Sequence, residues 1–321
     1  MSKPTKIWLM TAVSLIILGL ILFTVIIAVN HWDFTKLSTV KYETNTYTAT
    51  RDFSNISVNS DTADIKFQLS DNDKCVIVCY EEENGKHSVY VQDDTLTIRL
   101  VNEKKWYEYI GITFSKPQIT VYLPKLEYHT LTINENTGDV EIPKVFLFNK
   151  IDVHISTGEV KNFASATSHI QIKTTTGNIN VKNVTTGGIH LSATTGKITA
   201  ENIVCNYYFA TEVSTGDCKI DNIKCKGFVS TGTTGDVVLN DVIAEEDMHI
   251  ERDTGDIKFR NCDAATVLMT TSTGHITGRF LTSKTIIANT STGRVNIPKM
   301  LYGGKCVLTT STGDIKITIE K

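Results

Sequence analysis

The amino-acid sequence predicts an all-β protein: a parallel β-solenoid, β-helix-like, of about ten 19–20-residue coils, preceded by one N-terminal transmembrane helix. Three observations predict it. A Thr-Gly pair recurs ten times at nearly constant spacing, apolar residues alternate on both sides of each glycine, and a long uncharged run lies near the N-terminus. A short, constant period means stacked coils, because each unit can bury its apolar face only against its neighbours.

From Ile7 to Val29 there are 23 residues without a formal charge, enough to cross a bilayer as a helix, with Trp8 and Trp32 at its two interfaces. The run is longer than the apolar core of a signal peptide and ends without a small-x-small cleavage site, so it is expected to stay attached. Lys3 and Lys6 precede it, which places residues 1–6 in the cytoplasm, residues 7–29 in the membrane as a single-pass anchor, and everything after them outside the cell. Residues 30–44 read as a linker.

Residues 45–129 lack the strict period but read as strands, as in 53–58, 65–69, 75–79, 88–91, 96–100 and 119–123. Asp61-Thr62-Ala63-Asp64-Ile65 resembles a decayed copy of the later turns, while Gly85 and Gly111 sit in polar connections. This segment is expected to begin the sheet and cap it.

The regular solenoid occupies residues 130–321. Its turn glycines are Gly138, Gly158, Gly177, Gly196, Gly216, Gly235, Gly255, Gly274, Gly293 and Gly313, each preceded by threonine. Glycine tolerates positive φ, and short hydroxyl side chains bond the backbone of a bend, so the chain turns sharply once per coil. Two residues after glycine stands an apolar residue or Cys218, behind a polar one in every copy, which is the alternation of a half-buried strand. Coils this short cannot hold a helical crossover, so each strand pairs with its counterparts in neighbouring coils.

Several columns follow from that register. Asn183, Asn202, Asn222, Asp241 and Asn261 lie six residues after glycine in five consecutive coils and form a candidate side-chain ladder. Asp217, Asp236 and Asp256 directly follow glycine on adjacent coils; they are candidate calcium ligands, weighed against ordinary solvated turn carboxylates. Ala210, Val229, Leu268, Ile287 and Val307 make an outward, mostly apolar stripe, a candidate partner surface. The last strand, 314–321, is expected to leave the open edge of the stack, guarded by Lys316, Glu320 and Lys321.

All seven cysteines lie after the anchor; Cys205 and Cys225 fall on consecutive coils, and whether they are bridged stays open. Neither Cys-x-x-Cys nor clustered Cys/His spacing supports a zinc site. A net charge of −3 in 321 residues gives no reason to expect a nucleic-acid partner.

The layout resembles the bacterial DUF4097 family, which carries an adhesin label and includes membrane-anchored proteins linked to envelope stress. Phe53-Ser-Asn-Ile-Ser-Val58, the strand ending Val121-Tyr-Leu-Pro-Lys125 and the Ser-Thr-Gly-Asp-Ile turn at 311–315 carry the resemblance, which covers roughly residues 45–321. It implies a β-solenoid of the cell envelope without established catalytic residues.

The function expected is that of a membrane-anchored extracellular module, non-catalytic and without cofactor, adhesin-like or structural, with cell-wall polymer or an envelope protein as candidate partner. The alternative is an envelope-stress component acting beside a membrane protein. An enzyme acting on wall polymer ranks last, because the coils contain no long insertion to build a cleft.

Overall fold

The structure is a computed structural model that describes residues 3–33, 38–102, 113 and 115–320. Gly111, Lys321 and part of the linker lie outside the described residues. One α-helix, Lys3–Val29, is followed by an all-β body that forms a parallel β-solenoid. The helix is exposed over nearly its whole length and contains a stretch of mean hydropathy 3.0, apolar enough for a membrane anchor or a signal sequence.

Every glycine coil follows one plan, seen in the coil around Gly177. The strand Ser165–Thr176 enters, the chain bends at Gly177, and the strand that starts at Ile179 leaves. Ile170, Ile172, Ile179 and Val181 point inward and are fully buried, as alternation required. Each such side chain contributes about 1.5–3 kcal/mol of burial, an upper bound because unfolded chains already hide some of that surface. Stacking repeats the contact along the axis, so Phe209 lies on Phe228 with nearly parallel rings 5.3 Å apart.

The turn requires glycine for two reasons at once. Gly235 has φ of +128°, and a Cβ there would overlap the carbonyl oxygen of Gly216 in the coil below.

Order along the chain and order along the stack part company at both ends. At the C-terminal end, the strands of the Gly274 coil pair with those of the Gly313 coil, Val267 opposite Cys306 and Ile276 opposite Ile315. The Gly293 coil pairs only with the other side of the Gly313 coil. The last coil in sequence is therefore next to last in space. This corrects the expectation that residues 314–321 form the open edge: that edge belongs to the strands Lys284–Thr292 and Val295–Asn296.

The N-terminal end does the same. Its strands are β1 Tyr42–Thr48, β2 Asn55–Asn59, β3 Asp64–Leu69, β4 Val76–Glu82, β5 Gly85–Gln92, β6 Thr95–Asn102 and β7 Gln118–Leu123. The coil made by β2 and β3 lies between the β6–β7 coil and the first glycine coil. Antiparallel strands then close this end: β4 pairs with β7 and β1, and β5 with β6. The first and last coils of the chain are thus each held on both sides, which protects the segments most prone to fray.

One of the buried polar residues is an arginine, among the largest fully buried side chains. Arg252 is 1% exposed and faces no carboxylate; it donates to Ser230 Oγ at 3.0 Å, Cys218 Sγ at 3.4 Å and the Glu251 carbonyl at 2.7 Å. Gly232, one coil below, leaves the room its guanidinium occupies. Burial lowers its pKa from the ordinary arginine value.

Candidate functional site

Where the residue after a turn glycine is an acceptor, it has a structural task in most coils that the sequence pattern did not reveal. Asp217 Oδ1 accepts the backbone N–H of Asp236, Asp236 Oδ1 that of Asp256, and Asp256 Oδ1 that of His275, at 2.8–3.0 Å. The column continues in stacking order: His275 Nδ1 accepts from Asp314 N, and Asp314 Oδ1 from Arg294 N. These carboxylates satisfy donors that a bend would otherwise leave unpaired. The remaining oxygens of Asp236 and Asp256 face Lys258 Nζ at 3.2 and 2.9 Å, so a protein cation offsets part of the repulsion between these carboxylates.

The ladder positions share one backbone conformation. Asn183, Asn202, Asn222, Asp241 and Asn261 have φ between +51° and +57°, the left-handed region that asparagine and aspartate tolerate best after glycine. Asn202 donates to Asn183 at 2.9 Å, Asn222 to Asn202 at 2.7 Å and Asn261 to Asp241 at 2.9 Å. Asn261 also accepts from Arg279.

All seven cysteines are free and buried, including Cys205 and Cys225. Burial pushes the thiols of Cys75, Cys79, Cys205, Cys225, Cys262 and Cys306 up to about 12, which leaves them protonated and unreactive.

The best-built polar cluster lies under the N-terminal cap, where sequence reading singled out no residue. His87 on β5 places Nδ1 2.6 Å from Glu81 Oε2 on β4, and its Nε2 is 3.0 Å from Ser60 Oγ at the end of β2. With the proton on Nδ1 given to Glu81, Nε2 accepts from the serine. Glu81 also accepts from Asn45 Nδ2 at 2.8 Å and from the His87 backbone at 2.7 Å. Cys79 Sγ completes the one group of Cys, His and carboxylate atoms among the described residues that is close enough to ligate a metal. Each polar side chain of that group is already hydrogen-bonded within the protein, and the adjoining cavity of about 130 Å³ cannot admit a polymer. The arrangement ties the cap to the first coil. Only a buried His and Glu six residues apart, on the two arms of a β-hairpin, could have flagged it in the sequence.

Glu135 adjoins this cluster. Its Oε1 accepts from Ala63 N at 3.3 Å, its Oε2 is buried without a partner, and burial pushes its pKa from 4.5 up to about 8. The folded protein then holds a proton that the unfolded chain has lost, so this group's contribution makes stability fall as pH rises from about 4.5 to about 8. Glu135→Gln is expected to raise the melting temperature more at pH 8 than at pH 5; an equal gain at both would show that the carboxyl is ionised throughout.

The apolar stripe runs to the open end. In stacking order it reads Ala210, Val229, His249, Leu268, Val307 and Ile287, with Leu268 and Ile287 the most exposed. The inversion of the last two coils puts Val307 between them. Beyond the edge strand, Leu301 and Tyr302 project from the end coil. A shallow groove of about 440 Å³ on another face is lined by Asn240, Lys258, Arg260, Thr277, Lys316 and Thr318, with no carboxylate.

Comparison with known proteins gives one family and several similar solved structures. Residues 53–229 and 208–321 match the family described as Toastrack DUF4097. Among solved structures, a "putative adhesin" from Bacteroides fragilis is 18% identical over 87% of this chain and 97% of its own, with a TM-score of 0.45. A "putative lipid binding protein" from Parabacteroides distasonis is 16% identical over 75% of this chain and 95% of its own, with a TM-score of 0.48. A "putative adhesin" from Parabacteroides merdae is 14% identical over 75% and 97%, with a TM-score of 0.49. No curated protein matches the chain. The two matched stretches together take in every coil of the solenoid, and the chain belongs to the DUF4097, or Toastrack, family.

Proposed function

We propose that this protein is a non-catalytic binding module, held in the membrane by residues 7–29 and presenting its solenoid outside the cell. The observation that carries the reading is the uninterrupted stack. The ten glycine turns recur every 19 or 20 residues, which leaves no room for a long inserted loop, so the glycine coils offer a long repetitive surface and, among the described residues, no polymer-sized cleft. The 27-residue apolar helix supports the anchor, and Lys3 and Lys6 before it support a cytoplasmic N-terminus.

Co-sedimentation of the detergent-solubilised full chain with cell-wall sacculi tests the proposal, with calcium and with chelator. The chain is expected in the pellet under both conditions, because the Asp217, Asp236 and Asp256 column is already bonded to backbone amides and Lys258. A chain that stays in the supernatant would remove the wall as ligand and point to a membrane protein reached through the anchor.

A further inference from the structure

We propose that the open end of the stack is a docking surface for an anionic lipid bilayer. The proposal rests on the reading of the chain as a binding module and gives one end of that module a ligand in addition to the wall. It starts from charge. The chain as a whole carries 35 Asp and Glu against 32 Lys and Arg, yet residues 264–313 contain no acid and five cations: Arg279, Lys284, Arg294, Lys299 and Lys305. These residues, together with Asp314, Lys316 and Glu320 of the Gly313 coil, build the end of the stack opposite the N-terminal cap, where cations still outnumber acids. Arg279 bonds Asn261 and lies 3.8 Å from Glu320, Lys284 bonds Asp263 and Arg294 lies 3.7 Å from Asp314, whereas Lys299 and Lys305 enter no ion pair among the described residues.

The two lysines flank the most exposed apolar pair of the solenoid. Leu301 is 98% exposed and Tyr302 69%, in the loop that brings the chain back from the end coil to the strand Gly304–Thr312. Ile287 and Val295 are also exposed on that coil. A leucine and a tyrosine at a tip, with amines on either side, match the bilayer interface: the leucine enters the acyl boundary, the ring sits at the headgroups, and the lysines meet lipid phosphates. A soluble polyanion would use the lysines but leaves Leu301 without a role. A second copy could add strands to the edge Lys284–Thr292, which pairs on one side only, but two such ends would meet with like charge. The edge backbone itself stays outside the hydrocarbon, where unpaired N–H and C=O groups are not tolerated.

The test uses the full chain in nanodiscs of zwitterionic lipid, mixed with vesicles of phosphatidylcholine alone or with phosphatidylglycerol added. Binding is expected to be at least about ten-fold tighter on the anionic vesicles and to weaken with salt. Lys299→Glu with Lys305→Glu, and separately Leu301→Ser with Tyr302→Ser, should each weaken it by about ten-fold or more at an unchanged melting temperature. Equal binding to both vesicles, or no loss in either double variant, would overturn the proposal. So would disc–disc association without vesicles that Leu301→Ser with Tyr302→Ser abolishes, which would assign the surface to a second copy. Sacculus sedimentation run in parallel separates the two readings: if it persists without vesicle binding, only lipid docking fails, and if both are lost, the binding-module reading fails as well.

Discussion

Replacing Gly235 by valine is expected to lower stability by about 3 kcal/mol or more, while Asp236→Asn changes it by less than about 1 kcal/mol. Valine meets two obstacles at the turn. Its backbone must hold φ of +128°, which β-branched residues avoid, and its Cβ would overlap the Gly216 carbonyl oxygen and approach the backbone N of Asp217. Neither can relax locally, because Gly235 N donates to Thr254 O in the next coil and fixes the spacing. Asp236→Asn, by contrast, keeps an oxygen to accept from Asp256 N and gives up only a surface pairing with Lys258. Thermal melts of the two variants decide the matter. At about 2–4 °C per kcal/mol for a body of this size, the valine variant should melt about 10 °C lower. Equal midpoints would refute the turn.

The second large effect is expected at His87. His87→Leu leaves Glu81 buried with only Asn45 and a backbone amide as donors and takes the partner from Ser60 Oγ. Removing the imidazole donor leaves a buried carboxylate oxygen short of a hydrogen bond, which costs about 1–3 kcal/mol, because the acceptor stays desolvated. Since this pair joins β4 to β5 and Ser60 joins both to the first coil, the loss should fall on the N-terminal cap. Hydrogen exchange is the direct readout: amides of 76–92 should lose protection in the variant while those of the Gly177 to Gly255 coils keep theirs. Unchanged protection across 76–92 would show that apolar packing alone holds the cap.

Much of this protein was determined by the sequence alone. Ten Thr-Gly pairs at one spacing specify stacked coils, since a period of two on each side of a fixed bend leaves no other way to bury Ile170, Ile172, Ile179 and Val181. The uncharged run from Ile7 to Val29 specifies the helix on the same kind of local ground. What local pattern cannot encode is which surface a coil stacks on. Each glycine coil offers nearly identical edges, so the placement of the Gly313 coil between those of Gly274 and Gly293 rests on differences visible only once the strands are paired. On the last rung stands Arg294, whose backbone N–H donates to Asp314 Oδ1 of the coil before it. The cluster of Ser60, Glu81 and His87 was hidden for the same reason: its members come from three strands that meet only when the cap closes, and its energy resides in desolvation, which tertiary packing alone creates.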